Sequence, residues 1–281
     1  MASMKAVKQR IDNVSSTRQI MKAMDMVAAA KLQKARVRLE TTRPLYREVT
    51  RMIEHLQKSE EARENLFLKP REGKSTAYIV VTSDKGLCGG YNVNIAQAAL
   101  KHMKGRRERI FVIGAKGGEY FRRREKNIAR RITDLSEARL YECAAQLGEA
   151  IAPLFVSGEV GEVYIAYTHF ETTLQHAPRV ERLLPIPGEP QSARPDEIMR
   201  YEPSIDQFLA RAIPLYLHVY LYAAIAESLA CEYAARMLNM ESAGKNAGDI
   251  LDDLTLQFNR SRQAAITQEL NEIVSGANIL S

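Results

Sequence analysis

The stretch MKAVKQRIDNVSSTRQIMKAMDMVAAAKLQKARVRLE, residues 4 to 40, decides how the fold begins. Its apolar residues recur at heptad spacing, which is typical of a helix that pairs with another helix. The segment from 1 to 58 contains one proline, Pro44, and no glycine. At about 1.5 Å per residue such a helix reaches on the order of 80 Å, more than a small domain covers, so we expect it to project with a partner. One apolar row holds Val7, Val14, Met21, Ala28 and Ala35, and a second row holds Met4, Ile11, Leu32 and Leu39.

The other end of the chain carries the matching pattern. Residues 215 to 281 contain no proline and have apolar residues at three- and four-residue steps. Their 4 Lys and Arg against 8 Asp and Glu complement the 13 against 5 of residues 1 to 58. Opposite net charge disfavours self-pairing of the basic helix, although any single exposed ion pair contributes little. The stripe includes Leu217, Tyr220, Ala224, Leu251, Leu254, Phe258, Ile266, Leu270 and Ile273.

An antiparallel pairing follows because about 150 residues lie between the two segments and return the chain. The residue types agree best when the numbers of facing residues add to 264 or 265. This register places Pro214 in the first turn of the C-terminal helix, where proline is tolerated. It also leaves about the last 18 residues beyond the end of their partner. An uncovered apolar tip needs a socket on another protein. We therefore predict an apolar bearing tip of Ile266, Leu270, Ile273, Ile279 and Leu280.

Two seam positions break the apolar pattern. Arg18 and Asp25 occupy heptad positions that should be apolar, and Ser15 to Thr17 fall opposite roughly Gly248. One interpretation is a stutter that moves the stripe to Met24 and Ala28. The other is that polar groups are presented to a partner around the coil, and spacing alone does not decide between them.

The middle of the chain predicts a different architecture, in which short β-branched runs alternate with helical segments. Such alternation favours a βαβ sheet. The predicted strands are 75–82, 110–113, 163–168 and 180–186, and the predicted helices are 92–104, 116–126 and 137–155. Five prolines indicate a loop over 185–203. We predict an α/β protein in which a long antiparallel coiled coil joins a central Rossmann-like domain, with boundaries 1–58, 59–212 and 213–281.

Two glycine-rich turns follow predicted strands, at 83–90 (SDKGLCGG) and 114–118 (GAKGG). Glycines between a strand and a helix N-terminus can bind phosphate, but neither turn has the P-loop Lys-Ser or Lys-Thr and neither reads GxGxxG. The pattern favours tight turns that need backbone freedom. The five histidines show no metal-ligand spacing, and no serine lies in a nucleophile elbow.

Composition narrows the class further. The net charge is +6, which we assign mainly to the first helix rather than to a basic patch interleaved with aromatics. The three cysteines, Cys88, Cys143 and Cys231, are widely spaced and odd in number, which indicates neither a zinc site nor a disulfide framework. No apolar run reaches the length of a spanning helix, and the helical pattern starts within a few residues of Met1, so we expect no transmembrane segment and no signal peptide.

Three stretches carry a resemblance to a known family: IDNVSSTRQIMKAMDMVAAAKL (11–32), TSDKGLCGGYN (82–92) and the long C-terminal run that includes RQAAITQELNEIVSGA (262–277). They resemble the gamma subunit of F-type ATP synthases, over nearly the whole chain. The resemblance implies a central rotor shaft that couples proton flow to ATP synthesis or hydrolysis, with no chemistry of its own. It implies three alpha and three beta subunits, the epsilon subunit and the membrane c-ring as partners, without nucleic acid or lipid insertion. ATP, ADP, phosphate and Mg²⁺ would act in the alpha and beta subunits, at the cytoplasmic face of the cell membrane.

The resemblance also implies contact residues. Arg262, Gln263, Thr267 and Glu269 match the family's C-terminal contacts to the beta subunit, and Met24 matches a shaft residue near an acidic loop of that subunit. Lys34 and Arg36 extend the basic face, while Tyr201 and Glu202 resemble foot residues that face the c-ring and epsilon. The run AGKNA (243–247) departs from the family pattern, and the cysteine-containing regulatory segment of the chloroplast form is missing, so thiol control is not expected. Two other classes remain to be tested, a nucleotide-binding α/β enzyme with helical arms and a basic coiled coil for nucleic acid.

Overall fold

The computed structural model describes residues 4–56, 62, 64–71, 74–187 and 204–280; it also leaves aside the side chains of residues 272 and 274–280. Helix α1 spans Met4–Leu56, and helix α5 spans Ile205–Leu280. Between them lie α2 (Tyr91–His102), α3 (Ala115–Arg122) and α4 (Leu140–Val156), with a short 3-10 turn at Glu137–Arg139. The strands are β1 (Ser75–Val81), β2 (Glu108–Ile113), β3 (Ile128–Ile132), β4 (Val160–Phe170) and β5 (His176–Leu184).

The chain divides into two compact units. Residues 1–29 and 236–281 form one, which we call the coil unit, and residues 30–235 form the other, which we call the sheet unit. The two long helices each contribute to both units. The predicted class, an α/β protein with long terminal helices and a central Rossmann-like sheet, is confirmed.

The sheet has the order β3-β2-β1-β4-β5, with parallel pairing throughout except for the antiparallel β4–β5 pair. The central strand β1 is buried on both faces, as expected for a parallel strand between helical layers. On one face Ala77, Ile79 and Val81 pack with residues from α1, α4 and α5. On the other face Tyr78 and Val80 pack against α2 and α3.

The structure corrects the sheet prediction at β3, which the sequence analysis missed. The sequence of β3 is IARRI, and its three central residues are exposed. Exposed arginines lack the apolar pattern of the other strands, because β3 is an edge strand with water along one side. Strand β5 begins at His176, four residues earlier than predicted, and contains Pro178. Proline is tolerated there because β5 is the other edge.

Helix α5 also differs from its prediction. It begins at Ile205, so Pro214 lies inside the helix rather than in its first turn. A proline in a helix interior costs about 3 kcal/mol. Neighbouring residues more than offset this cost, since burying a large apolar side chain contributes about 1.5 to 3 kcal/mol. Those that are buried in the sheet-unit core around Pro214 are Leu209, Ile213, Tyr216 and Leu217.

Three contacts test the predicted antiparallel register. In the coil unit, the Arg18 guanidinium lies 3.5 Å from the position that a Cβ on Gly248 would occupy. In the sheet unit, the Lys31 ammonium lies 5.4 Å from the centre of the Tyr233 ring, and the Tyr46 and Tyr220 rings are 5.5 Å apart. The paired numbers add to 264 or 266, within two of the predicted value. Antiparallel pairing is therefore confirmed in the sheet unit by two contacts, and the one contact in the coil unit agrees with the same register.

The burial of α1 bears on both interpretations of the broken seam. Met24 is half-buried and Ala28 is buried, as a stutter would place them, and Ala28 also continues the heptad row of Val7, so the stutter and the partner contact both stay predictions. Arg18 is exposed but extends its guanidinium to Gly248, and Asp25 is half-buried. The buried members of the two rows are Val7, Ala28, Leu32, Ala35 and Leu39, while Ile11, Val14 and Met21 are half-buried and Met4 is exposed.

The glycine at 244 gives a stability prediction. Gly244 lies inside α5, and nothing is within 4 Å of the position that its Cβ would take. Because glycine in a helix interior costs roughly 0.5 to 1 kcal/mol relative to alanine, we expect Gly244→Ala to raise the free energy of unfolding by about that amount. Urea unfolding followed by circular dichroism measures the change. A lower midpoint would show that this stretch of α5 is not held as a regular helix.

Candidate interaction surfaces

The crevice in which α/β sheets bind nucleotides is filled by this chain itself. The sheet order reverses between β1 and β4, and ligands of such folds bind at the carboxyl ends of the strands beside that reversal. Here α5 crosses the end of β4. The Ser228 hydroxyl bonds the Tyr91 hydroxyl at 2.8 Å and accepts the Thr168 N–H at 3.2 Å. The Cys231 thiol donates to the Thr168 carbonyl at 3.3 Å. Burial raises the pKa of Tyr91 well above its usual value, so its hydroxyl stays protonated.

The glycine-rich turns are likewise occupied by the chain's own groups. The Asp84 carboxylate accepts the Ala115 N–H and the Asp134 N–H, each at 2.9 Å. A carboxylate thus holds the N-terminus of α3, the place where a phosphate would bind. The Thr82 hydroxyl accepts the Gly117 N–H at 3.0 Å and donates to the Ile113 carbonyl at 2.6 Å. These contacts support the tight-turn interpretation over a phosphate site.

A cavity of about 370 Å³, with several charged and tyrosine side chains in its lining, lies in the sheet unit between α1, β4, β5 and α5. The Glu181 carboxylate accepts from the Tyr167 hydroxyl at 3.0 Å and from the Tyr220 hydroxyl at 2.5 Å. Glu227 pairs with His169 at 3.0 Å, and burial raises the pKa of the Glu227 carboxyl while His169 opposes that shift. Because both carboxylates already have partners on neighbouring elements, we assign the cluster to holding α5 on the sheet.

The described residues contain no group of three or more His, Cys, Asp or Glu side chains placed to hold a metal ion. The three cysteines are free and buried. Burial raises the pKa of the Cys143 thiol to about 11, and it also raises the pKa of Cys231.

These thiols should react slowly in the native chain. At pH 8 a thiol with a pKa of about 11 is a thiolate about once in a thousand molecules, and only the thiolate is nucleophilic. We therefore expect alkylation of Cys143 by iodoacetamide at pH 8 to be at least a hundredfold slower in the native protein than in urea. Mass spectrometry of the alkylated chain measures this. Rapid labelling of the native chain would show that the thiols are accessible, and thiol control would have to be reconsidered.

Several large apolar side chains of the coil unit are exposed to water. Ile20 is 60% exposed, and Val27, one heptad further along α1, is 57% exposed. They lie outside the seam rows, so sequence reasoning about the seam missed them, although their heptad spacing was visible in the sequence. Apolar groups repeated along one helix face indicate an interaction surface. Besides the C-terminal tip, other exposed large apolar residues of the coil unit are Met4, Met26, Ile250 and Leu256.

The C-terminal end of α5 is uncovered, as the register predicted. Ile266, Leu270 and Ile273 are 48%, 56% and 68% exposed, which confirms their uncovered state. Ala265 is the last half-buried residue before them. The side chains of Ile279 and Leu280 lie outside the described residues. The bearing role of this tip stays a prediction.

The predicted contact residues fall into two groups. Arg262, Gln263, Thr267 and Glu269 are exposed on two successive turns of the coil unit, where the Thr267 hydroxyl donates to the Gln263 carbonyl at 2.9 Å. Met24 is half-buried in the same unit, whereas Lys34 and Arg36 are exposed in the sheet unit. Tyr201 and Glu202 lie outside the described residues. Each of these contacts remains a prediction.

One part of α5 has the composition of a membrane-spanning helix. Within the described residues, the segment Ile205–Asn271 contains an 18-residue window apolar enough to cross a bilayer, and 56% of that window is buried inside the protein. The sequence analysis predicted no such segment. Burial in the sheet-unit core, where Leu221 and Ile225 lie, accounts for this apolar character.

Comparison with known proteins identifies the family to which the chain belongs. The family model described as ATP synthase matches residues 3–280. The ATP synthase gamma chain of Alkaliphilus metalliredigens is 44% identical over 99% of this chain and 98% of its own length. The sodium-ion-specific ATP synthase gamma chain of Acetobacterium woodii is 40% identical over 98% of each chain. A chain of the Euglena gracilis mitochondrial ATP synthase, in an assembly of OSCP, F1 and c-ring, shares the fold with a TM-score of 0.69 at 16% identity, covering 99% of this chain and 94% of that one.

The match to ATP synthase gamma chains over nearly the whole chain defines a stalk protein rather than an enzyme. The chain belongs to the gamma-chain family of ATP synthases. It is accordingly a non-catalytic subunit of the central stalk and works in a complex with other ATP synthase subunits.

Proposed function

We propose that this chain is the central rotor shaft of an F-type ATP synthase and transmits rotation between a membrane sector and a catalytic ring. The observation that carries the proposal is the apolar end of α5, where Ile266, Leu270 and Ile273 are all about half exposed or more. Apolar side chains exposed to water do not stabilise an isolated protein, whereas a ring of partner subunits around the tip would bury them. The exposed Ile20 and Val27 give the coil unit a further contact face.

The proposed mechanism is a difference in contact energy. The two helices of the coil unit present different side chains around their circumference, so a ring of identical subunits meets a different surface at each position. A shaft can change the relative affinity of the sites for ADP with phosphate and for ATP only through contacts that differ between rotational states. Met24, Arg262, Gln263, Thr267 and Glu269 are the proposed beta-subunit contacts in the coil unit. In the sheet unit the proposed contacts are Lys34 and Arg36, beside a proposed foot at Tyr201 and Glu202.

The proposed partners are three alpha and three beta subunits, the epsilon subunit and the c-ring, at the cytoplasmic face of the membrane. ATP, ADP, phosphate and Mg²⁺ would bind in the alpha and beta subunits and not on this chain. The filled crevice beside Ser228 and the Asp84 carboxylate at α3 support that assignment. Calorimetry should show no tight binding of ATP to the isolated chain; tight binding would favour the nucleotide-enzyme alternative instead.

We propose the proton as the coupling ion. The sodium-ion-specific gamma chain of Acetobacterium woodii is 40% identical to this one, so the coupling ion has to be tested on the complex itself. ATP hydrolysis by the membrane complex should be independent of Na⁺ at constant pH. A Na⁺-dependent rate would contradict the proton assignment and leave the shaft role intact.

Subunit stoichiometry tests the shaft role. Co-expression with the alpha and beta subunits of the same organism, followed by native mass spectrometry, should give one copy of this chain with three of each. A complex with equal numbers of all three subunits would contradict a single central shaft.

A further inference from the structure

The segment from 101 to 131 is more densely basic than α1. It contains 12 Lys and Arg against 3 Glu within 31 residues. This corrects the expectation that the first helix carries most of the positive surplus. The sequence analysis missed this concentration because the cations are divided among a helix end, two loops and an edge strand.

The fold brings the ends of this segment together at one edge of the sheet. Helices α2 and α3 pack beside each other, and they lead into the parallel strands β2 and β3. Their C-terminal ends therefore lie at the amino edge of those strands. Six exposed cations lie at this edge, and we call them the amino-edge patch: Lys101, Lys104, Arg107, Arg122, Arg123 and Arg124.

The patch has an unbalanced charge because other cations already neutralise the nearby carboxylates. Arg106 pairs with Glu162, Arg109 with Glu159 at 2.8 Å, and Lys126 with Glu108 at 3.1 Å. None of the six patch cations has an ion pair with a described residue. The Arg124 guanidinium lies 3.7 Å from the centre of the Tyr120 ring. Glu125 is the one exposed acid beside the six patch cations, so the patch and Glu125 together carry a net charge of +5.

The surroundings of the patch indicate its kind of partner. Protein interfaces are anchored by large apolar or aromatic side chains, and single-stranded nucleic acids stack on exposed rings. Between 101 and 131, a fully described part of the chain, no large apolar side chain is exposed, and the Tyr120 ring is half-buried beneath Arg124. Cations without apolar anchors are typical of surfaces that bind anionic lipid headgroups.

We propose that the amino-edge patch binds the phosphate groups of anionic phospholipids in the membrane that carries the complex. This inference rests on the proposed function, which places the chain at a membrane-bound motor. The contact is electrostatic and needs no insertion into the bilayer. A purely structural role is the alternative, since cations at helix C-termini are stabilised by the helix dipole.

Vesicle binding tests the proposal on the full chain. The patch variant carries Arg107→Gln, Arg122→Gln and Arg123→Gln, and the matched control carries Lys8→Gln, Arg10→Gln and Lys22→Gln, which are exposed on α1. Each cation near an anionic surface contributes about fivefold in affinity. We expect the patch variant to bind vesicles containing phosphatidylglycerol at least tenfold more weakly than the control. Equal loss in both variants, or equal binding to phosphatidylcholine vesicles, would overturn the proposal.

A second measurement uses the intact complex in its membrane. Because the native cysteines are buried, a photoactivatable label on Arg123→Cys reports on the patch alone. We expect adducts with phospholipid from this position and none from Lys22→Cys. Adducts with another subunit instead would overturn the lipid assignment. If the labelled complex assembles and synthesises ATP without a lipid adduct, this inference fails while the proposed function stands. If the unsubstituted chain does not assemble with the other subunits, the proposed function fails, and the vesicle comparison still decides the patch.

Discussion

Replacing the three exposed tip residues together, Ile266→Ser, Leu270→Ser and Ile273→Ser, should lower ATP synthesis by the membrane complex about tenfold. Each side chain has roughly half of its surface left to bury, which in an apolar socket contributes about 1 kcal/mol per residue. The three changes together would remove about 3 kcal/mol of binding free energy between the tip and the ring. The rest of the coil unit would still hold the chain in the ring. Deleting residues 262 to 281 should have at least as large an effect. ATP synthesis in inverted membrane vesicles, per mole of assembled complex, measures both.

The control changes two apolar residues of similar exposure in the sheet unit. Val156→Ser and Leu174→Ser alter side chains that are 48% and 75% exposed, and they should leave ATP synthesis within about twofold of the original. The thermal midpoint of the isolated chain should change little in either variant, because none of these side chains is buried. Unchanged coupled synthesis in the tip variant would remove the bearing role from the account.

Gly114→Ala should have the largest effect on stability. The added Cβ would lie 2.4 Å from the Thr82 carbonyl oxygen, and the backbone at Gly114 has a φ of +94°, which residues with a side chain rarely adopt. Neither obstacle can be relieved by turning a flexible side chain, since Thr82 continues directly from β1. We expect the free energy of unfolding of the sheet unit to fall by about 3 kcal/mol or more, measured by urea unfolding with circular dichroism.

Gly86→Ala, in the other glycine-rich turn, is the control for that result. Nothing lies within 4 Å of the position of its Cβ, and we expect a change below about 0.5 kcal/mol. The comparison separates a glycine that a close approach requires from one that merely lies in a loop. Equal stability of the two variants would mean that the contact between Gly114 and Thr82 does not hold in solution.

Periodicity revealed the parts of this fold that repeat. The heptad rows of α1 predicted the burial of Val7, Ala28 and Leu32, and the register that they imply agrees with the Lys31–Tyr233 and Tyr46–Tyr220 contacts. The same register predicted the exposed tip, because the end of α5 extends beyond the end of α1 and its apolar residues there have no partner helix to cover them. These features depend on spacing, which a single sequence displays directly.

Features that depend on tertiary contacts could not be predicted from spacing in the sequence. Strand β3 was not predicted because its exposed central residues lack the apolar pattern of the other strands. The start of α5 was misplaced because burial around Pro214 outweighs the local cost of proline, and no local signal reports that burial. The crevice filled by Ser228 required the sheet order, since Tyr91, Thr168 and Ser228 are far apart in sequence.

The amino-edge patch could not be predicted from the sequence either, because the sequence does not show which cations form ion pairs. Counting residues 101 to 131 reveals the surplus, but only the fold shows which cations are neutralised. Arg106 and Arg109 are paired with acids of β4 and of the turn before it, whereas Arg107 between them has no ion pair with a described residue. Alternation along one short stretch thus separates the paired cations from the exposed ones.

Rotation of this chain during ATP hydrolysis is the most direct test of the account. A probe attached at Val156→Cys, which is 48% exposed in the sheet unit, reports the motion of the shaft while the buried native cysteines stay unlabelled. With the alpha–beta ring fixed to a surface and ATP supplied, the probe should turn in one direction with three pauses in each revolution. ATP hydrolysis at the full rate with a stationary probe would contradict the claim that this chain is the shaft.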